Sequence, residues 1–229
     1  MVAYPLGRPC GAGRRITSHV VVGALGATTA AAAGHRWGCG RAVMGAAVVS
    51  AATAVVERIG TTTGLPFGRY QYTGRLRPAV AGVPVIVPLA WWSMALPARE
   101  AAHAALGPRS TLAGRVVLGA LALTAWDLFL DPQMTAEGYW RWRRGGAYRG
   151  VPLSNFAGWL LTGAGVTAAL EVLLPAVRPD RTLVGAYAAM GMMETVGFAA
   201  FFRDRVVAAA GGAAMLPIAA LALVRFGDG

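Results

Sequence analysis

The sequence predicts an all-α protein, a polytopic integral membrane helical bundle of about seven transmembrane helices forming a single domain over residues 1–229. Three observations carry this prediction. Of the 229 residues, 56% are hydrophobic and 14% charged, against the roughly 25% charged residues of ordinary soluble domains. The mean hydropathy is +0.52. Apolar stretches near the ~20 residues that cross a hydrocarbon core of about 30 Å recur along the whole chain. Lipid offers open backbone groups no partner, which selects helices over single strands.

Seven apolar segments follow in order: Ile16 to Gly34, Arg41 to Ile59, Val80 to Leu106, Leu112 to Leu130, Asn155 to Val177, Leu183 to Phe202, and Val206 to Phe226. The third is interrupted by Pro84, Pro88 and Pro97, so it is expected to begin irregularly and become a clean helix later. The last is interrupted by Gly211, Gly212 and Pro217. The first has Arg14 and Arg15 at its start and resembles a signal peptide there, but its apolar run exceeds the usual ~7–15 residues and is read as a span. Pairs four apart, such as Gly23 with Ala27 and Gly185 with Ala189, suit close helix packing. No repeat of the transporter kind is visible.

The net charge is +11, and all 21 basic residues are arginine. They stand singly between apolar runs instead of gathering on one hydrophilic face, so they are read as loop charges that orient spans and not as a nucleic-acid surface. Thirteen arginines fall at the N-terminus and in every second loop (8, 14, 15, 58, 69, 75, 77, 141, 143, 144, 149, 203 and 205), against eight on the other side. The positive-inside rule therefore places the N-terminus and the long loops 60–79 and 131–154 in the cytoplasm. Cys10 and Cys39 flank the first span and cannot pair with each other across a bilayer. No zinc spacing links the three histidines to them, so no metal site is expected. Gly163, Gly165 and Ala168 fit G-x-G-x-x-A without a preceding strand, which does not support a dinucleotide site.

The informative residues are carboxylates in or beside spans, because an ionisable group in lipid is costly and points to function. Glu57 closes the second span, Asp127 and Asp131 sit one turn apart at the end of the fourth, and Glu194 lies inside the sixth. Alternating topology brings all four toward the cytoplasmic half, whereas Glu171 is nearer the opposite end. Asp127 and Asp131, at i and i+4, share a face. Two carboxyl groups competing for a proton in a low-dielectric pocket leave one able to act as an acid. The alternatives are that Asp131 caps a turn before Pro132 and that Glu57 pairs with Arg58 at the interface.

Aromatic residues gather beside the same ends: Phe67, Tyr70 and Tyr72 in the first long loop, Trp91 and Trp92 in the third span, Trp126 next to Asp127, and Tyr139, Trp140, Trp142, Tyr148, Phe156 and Trp159 around the second long loop. An interfacial belt explains part of this clustering. A pocket for a long apolar ligand, whose π-faces also stabilise a carbocation, is the functional reading.

The run Glu57-Arg58-Ile59-Gly60, Thr63-Gly64-Leu65-Pro66-Phe67-Gly68-Arg69-Tyr70-Gln71-Tyr72, then Val83-Pro84 and Pro88-Leu89-Ala90-Trp91, resembles the first signature of the CruF-type carotenoid hydratases. Trp126-Asp127-Leu128-Phe129-Leu130-Asp131-Pro132, Gly138-Tyr139-Trp140, Gly150-Val151-Pro152 and Asn155-Phe156-Ala157-Gly158-Trp159 resemble the second. The two signatures together span residues 57–159. Arg77 before Pro78 departs from the family pattern, in which glycine is expected.

The resemblance implies addition of water across the terminal C1=C2 double bond of an acyclic carotenoid end, giving a tertiary alcohol without a cofactor. Asp131 or Asp127 would be the acid, Glu57 the water-orienting base, and Trp91, Trp126 and Tyr70 the ring faces around the cation, with Asn155 holding the water. Tyr72, Trp92, Trp140, Trp159 and Glu194 complete the substrate-binding set. The implied partners are an acyclic or monocyclic carotenoid, membrane lipid and other carotenoid-pathway membrane enzymes, with no nucleic acid. The competing readings are another carotenoid-modifying enzyme such as a cyclase, and a small proton-coupled transporter.

Overall fold

The computed structural model describes residues 10–175 and 178–227. Arg8 and Val177, used in the charge count and at the end of the fifth predicted segment, lie outside the described residues. The chain runs α1 (Ala12–Trp37), α2 (Cys39–Thr63), β1 (Tyr70–Tyr72), β2 (Ala79–Val80), β3 (Val83–Pro84), α3 (Ile86–Leu106), α4 (Leu112–Ala136), β4 (Trp140–Trp142), α5 (Leu153–Leu173), α6 (Arg181–Val196) and α7 (Arg205–Gly227), with a π-helical turn at Gly197–Phe201 after α6. Six of these helices are long and apolar enough to cross a membrane. They make the chain a multi-pass membrane protein. Large side chains such as Val43, Leu161, Val172 and Val224 are exposed on their outer faces, where lipid would meet them.

The helix that falls outside the six is α3. Its sequence carries Arg99, Glu100 and His103, which lowers its hydropathy, and its side chains are buried almost without exception from Ile86 to Ala105. It packs against α1, α2, α4, α5, α6 and α7 and so forms the axis of the bundle. The third predicted segment begins irregularly, as its prolines lead one to expect: residues 79–84 form the β2–β3 turn, with Ala79 opposite Pro84, and the helix starts at Ile86. A second departure from an all-helical chain is the pairing of β1 with β4, Tyr70 opposite Trp142 and Tyr72 opposite Trp140, which joins the two long loops. Both strands are three residues with aromatic groups at alternate positions, the period-two pattern that favours strands.

Local chemistry sets the helix ends. Gly38 at φ 85° is the single residue joining α1 to α2, a left-handed conformation that favours glycine. The Thr111 hydroxyl accepts from Gly114 N at 3.1 Å to start α4, and Asp180 accepts from Leu183 N at 3.0 Å to start α6, each satisfying an orphan donor.

Of the three prolines inside helices past the first turn, at 97 in α3, 132 in α4 and 217 in α7, the first two share one compensation. Each removes the bond to the carbonyl four residues earlier, and in both cases a hydroxyl from elsewhere replaces it. Thr29 Oγ1 of α1 donates to Ser93 O at 2.9 Å, and the Tyr148 hydroxyl donates to Leu128 O at 2.9 Å. Thr29→Val should therefore lower thermal stability by about 1–3 kcal/mol, while Thr29→Ser retains the donor. Melting the two variants in one detergent checks this, and equal melting temperatures would refute the role.

At one end of the bundle Arg14 pairs with Glu137, and Cys10 N donates to the same carboxylate at 2.7 Å, so the start of α1 and the end of α4 lie together. At the other end Arg99, fully buried, reaches Glu100 at 3.1 Å, Glu171 at 3.6 Å and Leu174 O at 3.0 Å, and Arg115 reaches Glu171 at 2.9 Å. Arg99 is thus no loop charge. Its acidic partners on α3 and α5 compensate the desolvation that would otherwise exclude it from the core.

Candidate active site

The carboxylates of α2 and α4 meet at the end of the bundle closed by the β1–β4 ribbon. Glu57, 6% exposed, occupies the penultimate turn of α2. Tyr70 and Tyr72 both donate to its Oε2, the latter at 2.6 Å, and the Trp91 indole donates to Oε1 at 3.1 Å. Three donors converging on one carboxylate fix its orientation. The tyrosines come from β1 and the tryptophan from α3, so the loop and the central helix together hold Glu57.

On the facing side Asp131 lies within α4, which runs on through Pro132 to Ala136. The turn-cap reading therefore does not describe it. Asn155, in the first turn of α5, donates one N–H to Asp127 Oδ2 at 2.8 Å and also donates to Asp131 Oδ2. One carboxamide thus bridges two acids a helical turn apart, and the Trp140 indole is also within hydrogen-bonding reach of Asp131.

Glu57, Asp131 and Asn155 line one cavity of about 30 Å³, walled by Tyr70, Tyr72, Trp91, Trp126, Trp140 and Trp159, with Phe67, Val87, Ala90, Leu130 and Trp142 closing it. That volume is on the order of one water molecule. Trp91 and Trp159 stack at 3.8 Å between centroids, and Trp126 meets Trp159 edge-on at 6.0 Å. The buried indole N–H groups of Trp126 and Trp142 have no hydrogen-bond partner among the described residues.

The remaining predicted residues are placed elsewhere. Asp127 is fully buried behind Asn155 and does not line the cavity. Trp92, one residue past Trp91, projects to another face of α3, toward Gly45 of α2 and a groove beside α1. Glu194 is buried in α6 and lies outside the cavity lining. Among the described residues no three His, Cys, Asp or Glu side chains converge where they could hold a metal ion. Phe67 and Trp142, part of the aromatic cluster read from the sequence but outside the expected substrate-binding set, also belong to the lining. The alternation Tyr-Gln-Tyr and Trp-Arg-Trp was the available signal for Trp142.

Burial, followed by the neighbouring Glu57 carboxylate, pushes the Tyr70 and Tyr72 hydroxyls well above the ordinary phenol range. Both stay protonated donors to Glu57 past about pH 10, where an exposed phenol ionises. Because the folded values are raised, the stability these groups contribute is present below about pH 10 and is lost as pH rises beyond it. Tyrosinate absorbance during alkaline titration should appear only on unfolding for these two residues. Ionisation of either one in the folded protein near pH 10 would contradict the arrangement.

The fold and site define a multi-pass helical membrane protein with a buried acid pair and a facing carboxylate inside an aromatic box. The chain belongs to the carotenoid biosynthesis protein family, which matches residues 17–226, in agreement with the resemblance read from its two signatures. It is similar to the bisanhydrobacterioruberin hydratase of Haloarcula japonica, 36% identical over 111 residues that make up 48% of this chain and 38% of that protein. The matched part therefore spans well under half of that relative's length. No solved structure matches the chain.

Proposed function

We propose that this chain is a carotenoid hydratase, a hydro-lyase that adds water across the terminal C1=C2 bond of an acyclic carotenoid end by acid catalysis. The observation that carries the reading is that Asp131 and Glu57 face one small aromatic-walled cavity from two different helices. Asp131, as the carboxylic acid, donates its proton to C2 as the π bond breaks, leaving a tertiary cation at C1. Trp91, Trp126 and Trp159 line the cavity, where a ring face turned toward the cation stabilises it. A water held by the free Trp126 N–H and Glu57 attacks C1, and Glu57 takes the proton that water loses. Transfer of that proton back to Asp131 through cavity water closes the cycle. The net change is one water added.

Asp127 and Asn155 act as positioning residues, since Asn155 spends N–H donors on both aspartates. Two acids bridged in this way hold one proton between them more readily than two charges. The named activity of the Haloarcula japonica relative supports hydration over cyclisation. On this reading α3 is the seventh span, the β1–β4 end faces the cytoplasm by the arginine excess, and other carotenoid-pathway membrane enzymes hand over and receive the pigment. Expression in a host that accumulates lycopene tests the function. Pigments heavier by one water support it, and unchanged pigments with the protein present in the membrane reject it.

A further inference from the structure

The carboxylate cavity, at about 30 Å³, admits a water but not a branched prenyl end, so a wall must yield when substrate binds. The wall toward α2 and α5 is Phe67. Its ring is wedged between two helices at glycines: a Cβ on Gly60 of α2 would lie 3.0 Å from Phe67 Cδ2, and one on Gly158 of α5 would lie 2.7 Å from Cδ1. Phe67 stands on a loop, so its ring can leave this slot without displacing a span. The residues just before it, Leu65 and Pro66, line a groove of about 430 Å³ on the outer face between α2 and α5.

That groove runs from Val48 to Ile59 on α2, about 17 Å at the helical rise of 1.5 Å per residue. Its lining is aliphatic apart from Thr53 and Thr162 and contains no charged side chain. The two other large outer grooves differ in this respect. The one between α2 and the β2–β3 turn includes Arg58, and the one between α1 and α3 includes His19 and Arg77, which suits anionic headgroups. Residues of all three grooves neighbour cavity residues in sequence, but only the uncharged groove adjoins the cavity through Phe67, a wall residue carried on a loop.

We propose that the α2–α5 groove binds the uncharged polyene chain of the substrate, with Phe67 swinging aside to admit the chain's end to Glu57 and Asp131. The assignment rests on the hydratase reading for the identity of that end. Gly165→Phe and Ala52→Phe would fill the groove from α5 and α2. A Cβ at Gly165 meets nothing within 4 Å, so the first variant has space to fold. Gly23→Phe, at another open glycine, fills the α1–α3 groove as a control.

The full chain in nanodiscs is loaded with lycopene, and two quantities are read: lycopene retained per protein, and its conversion. Both groove variants should retain about tenfold less lycopene and show a correspondingly raised KM, the loss expected from displacing about two methylene-sized contacts. Gly23→Phe should match the unmodified protein. Unchanged retention in both groove variants, as when the groove holds phospholipid, overturns the proposal, as does an equal loss in Gly23→Phe. If retention falls in the groove variants while the unmodified protein converts nothing, the groove stands and the hydratase reading fails. Normal conversion with retention indifferent to the groove gives the reverse result.

Discussion

Asp131→Asn is expected to lower conversion of lycopene by about 10³-fold, within the range that a general acid contributes. The substitution is nearly isosteric and removes the proton that the cavity-facing end of α4 can deliver to an alkene carbon. Its effect should fall on kcat, since an uncharged polyene gains little from Asp131 before proton transfer. Asp127→Asn should cost far less than Asp131→Asn, because Asp127 touches Asn155 and not the cavity. Measured rates for the two variants, with retained lycopene as a check on binding, settle their order. Equal losses would mean that the two aspartates act interchangeably, and full activity in Asp131→Asn would remove it from the mechanism.

Glu57→Gln is expected to lower conversion by about 10²-fold as the water loses its base, and to destabilise the fold as well. The carboxylate accepts from Tyr70 and Tyr72 at one oxygen and from Trp91 at the other. A carboxamide can accept at only one of those positions, and its NH₂ then faces a donor. The orphaned group costs about 1–3 kcal/mol. If the substituted carboxamide turns its NH₂ toward the tyrosines, adding Tyr72→Phe relieves part of the conflict and recovers stability without recovering activity. Thermal melts and conversion rates of the single and double variants separate the two effects. Restored activity in the double variant would show that Glu57 only holds the loop.

The bundle was legible in the sequence because spans near 20 apolar residues are dictated by bilayer thickness. The exception is instructive. The α3 segment reads as the least regular span because of its prolines, whereas its surroundings are protein on nearly every side. A helix sheltered in this way tolerates Arg99 and Glu100, and its Pro97 is tolerated because Thr29 supplies the missing donor. Apart from the adjacent Arg99–Glu100 pair, those compensations lie 64 or more residues away in sequence, and composition alone does not reveal them.

The same holds for the site. The cost of carboxylates in lipid pointed to Glu57, Asp127 and Asp131, and the cavity brings Glu57 and Asp131 together with Trp91, Trp126, Trp140 and Trp159. Periodicity does not say which acid faces the cavity, because residues four apart share a face but not a depth. Asp131 lines the cavity and Asp127 does not, and the carboxamide that bridges them, Asn155, stands on another helix. The ribbon that brings Tyr70 and Tyr72 onto Glu57 depends on pairing across about 70 residues, a non-local contact no short window contains. Trp92 and Glu194 satisfied the same sequence criteria as the cavity residues, but Trp92 lies on another face of α3 and Glu194 stands on α6, which contributes nothing to the lining.

Hydration is tested most directly by converting lycopene with the purified full chain in oxygen-18 water. A hydratase gives a product heavier than lycopene by one labelled water, with the label in a tertiary alcohol at C1. A product of unchanged mass, as cyclisation would give, or the absence of any labelled product from lycopene that the protein demonstrably retains, would contradict hydration.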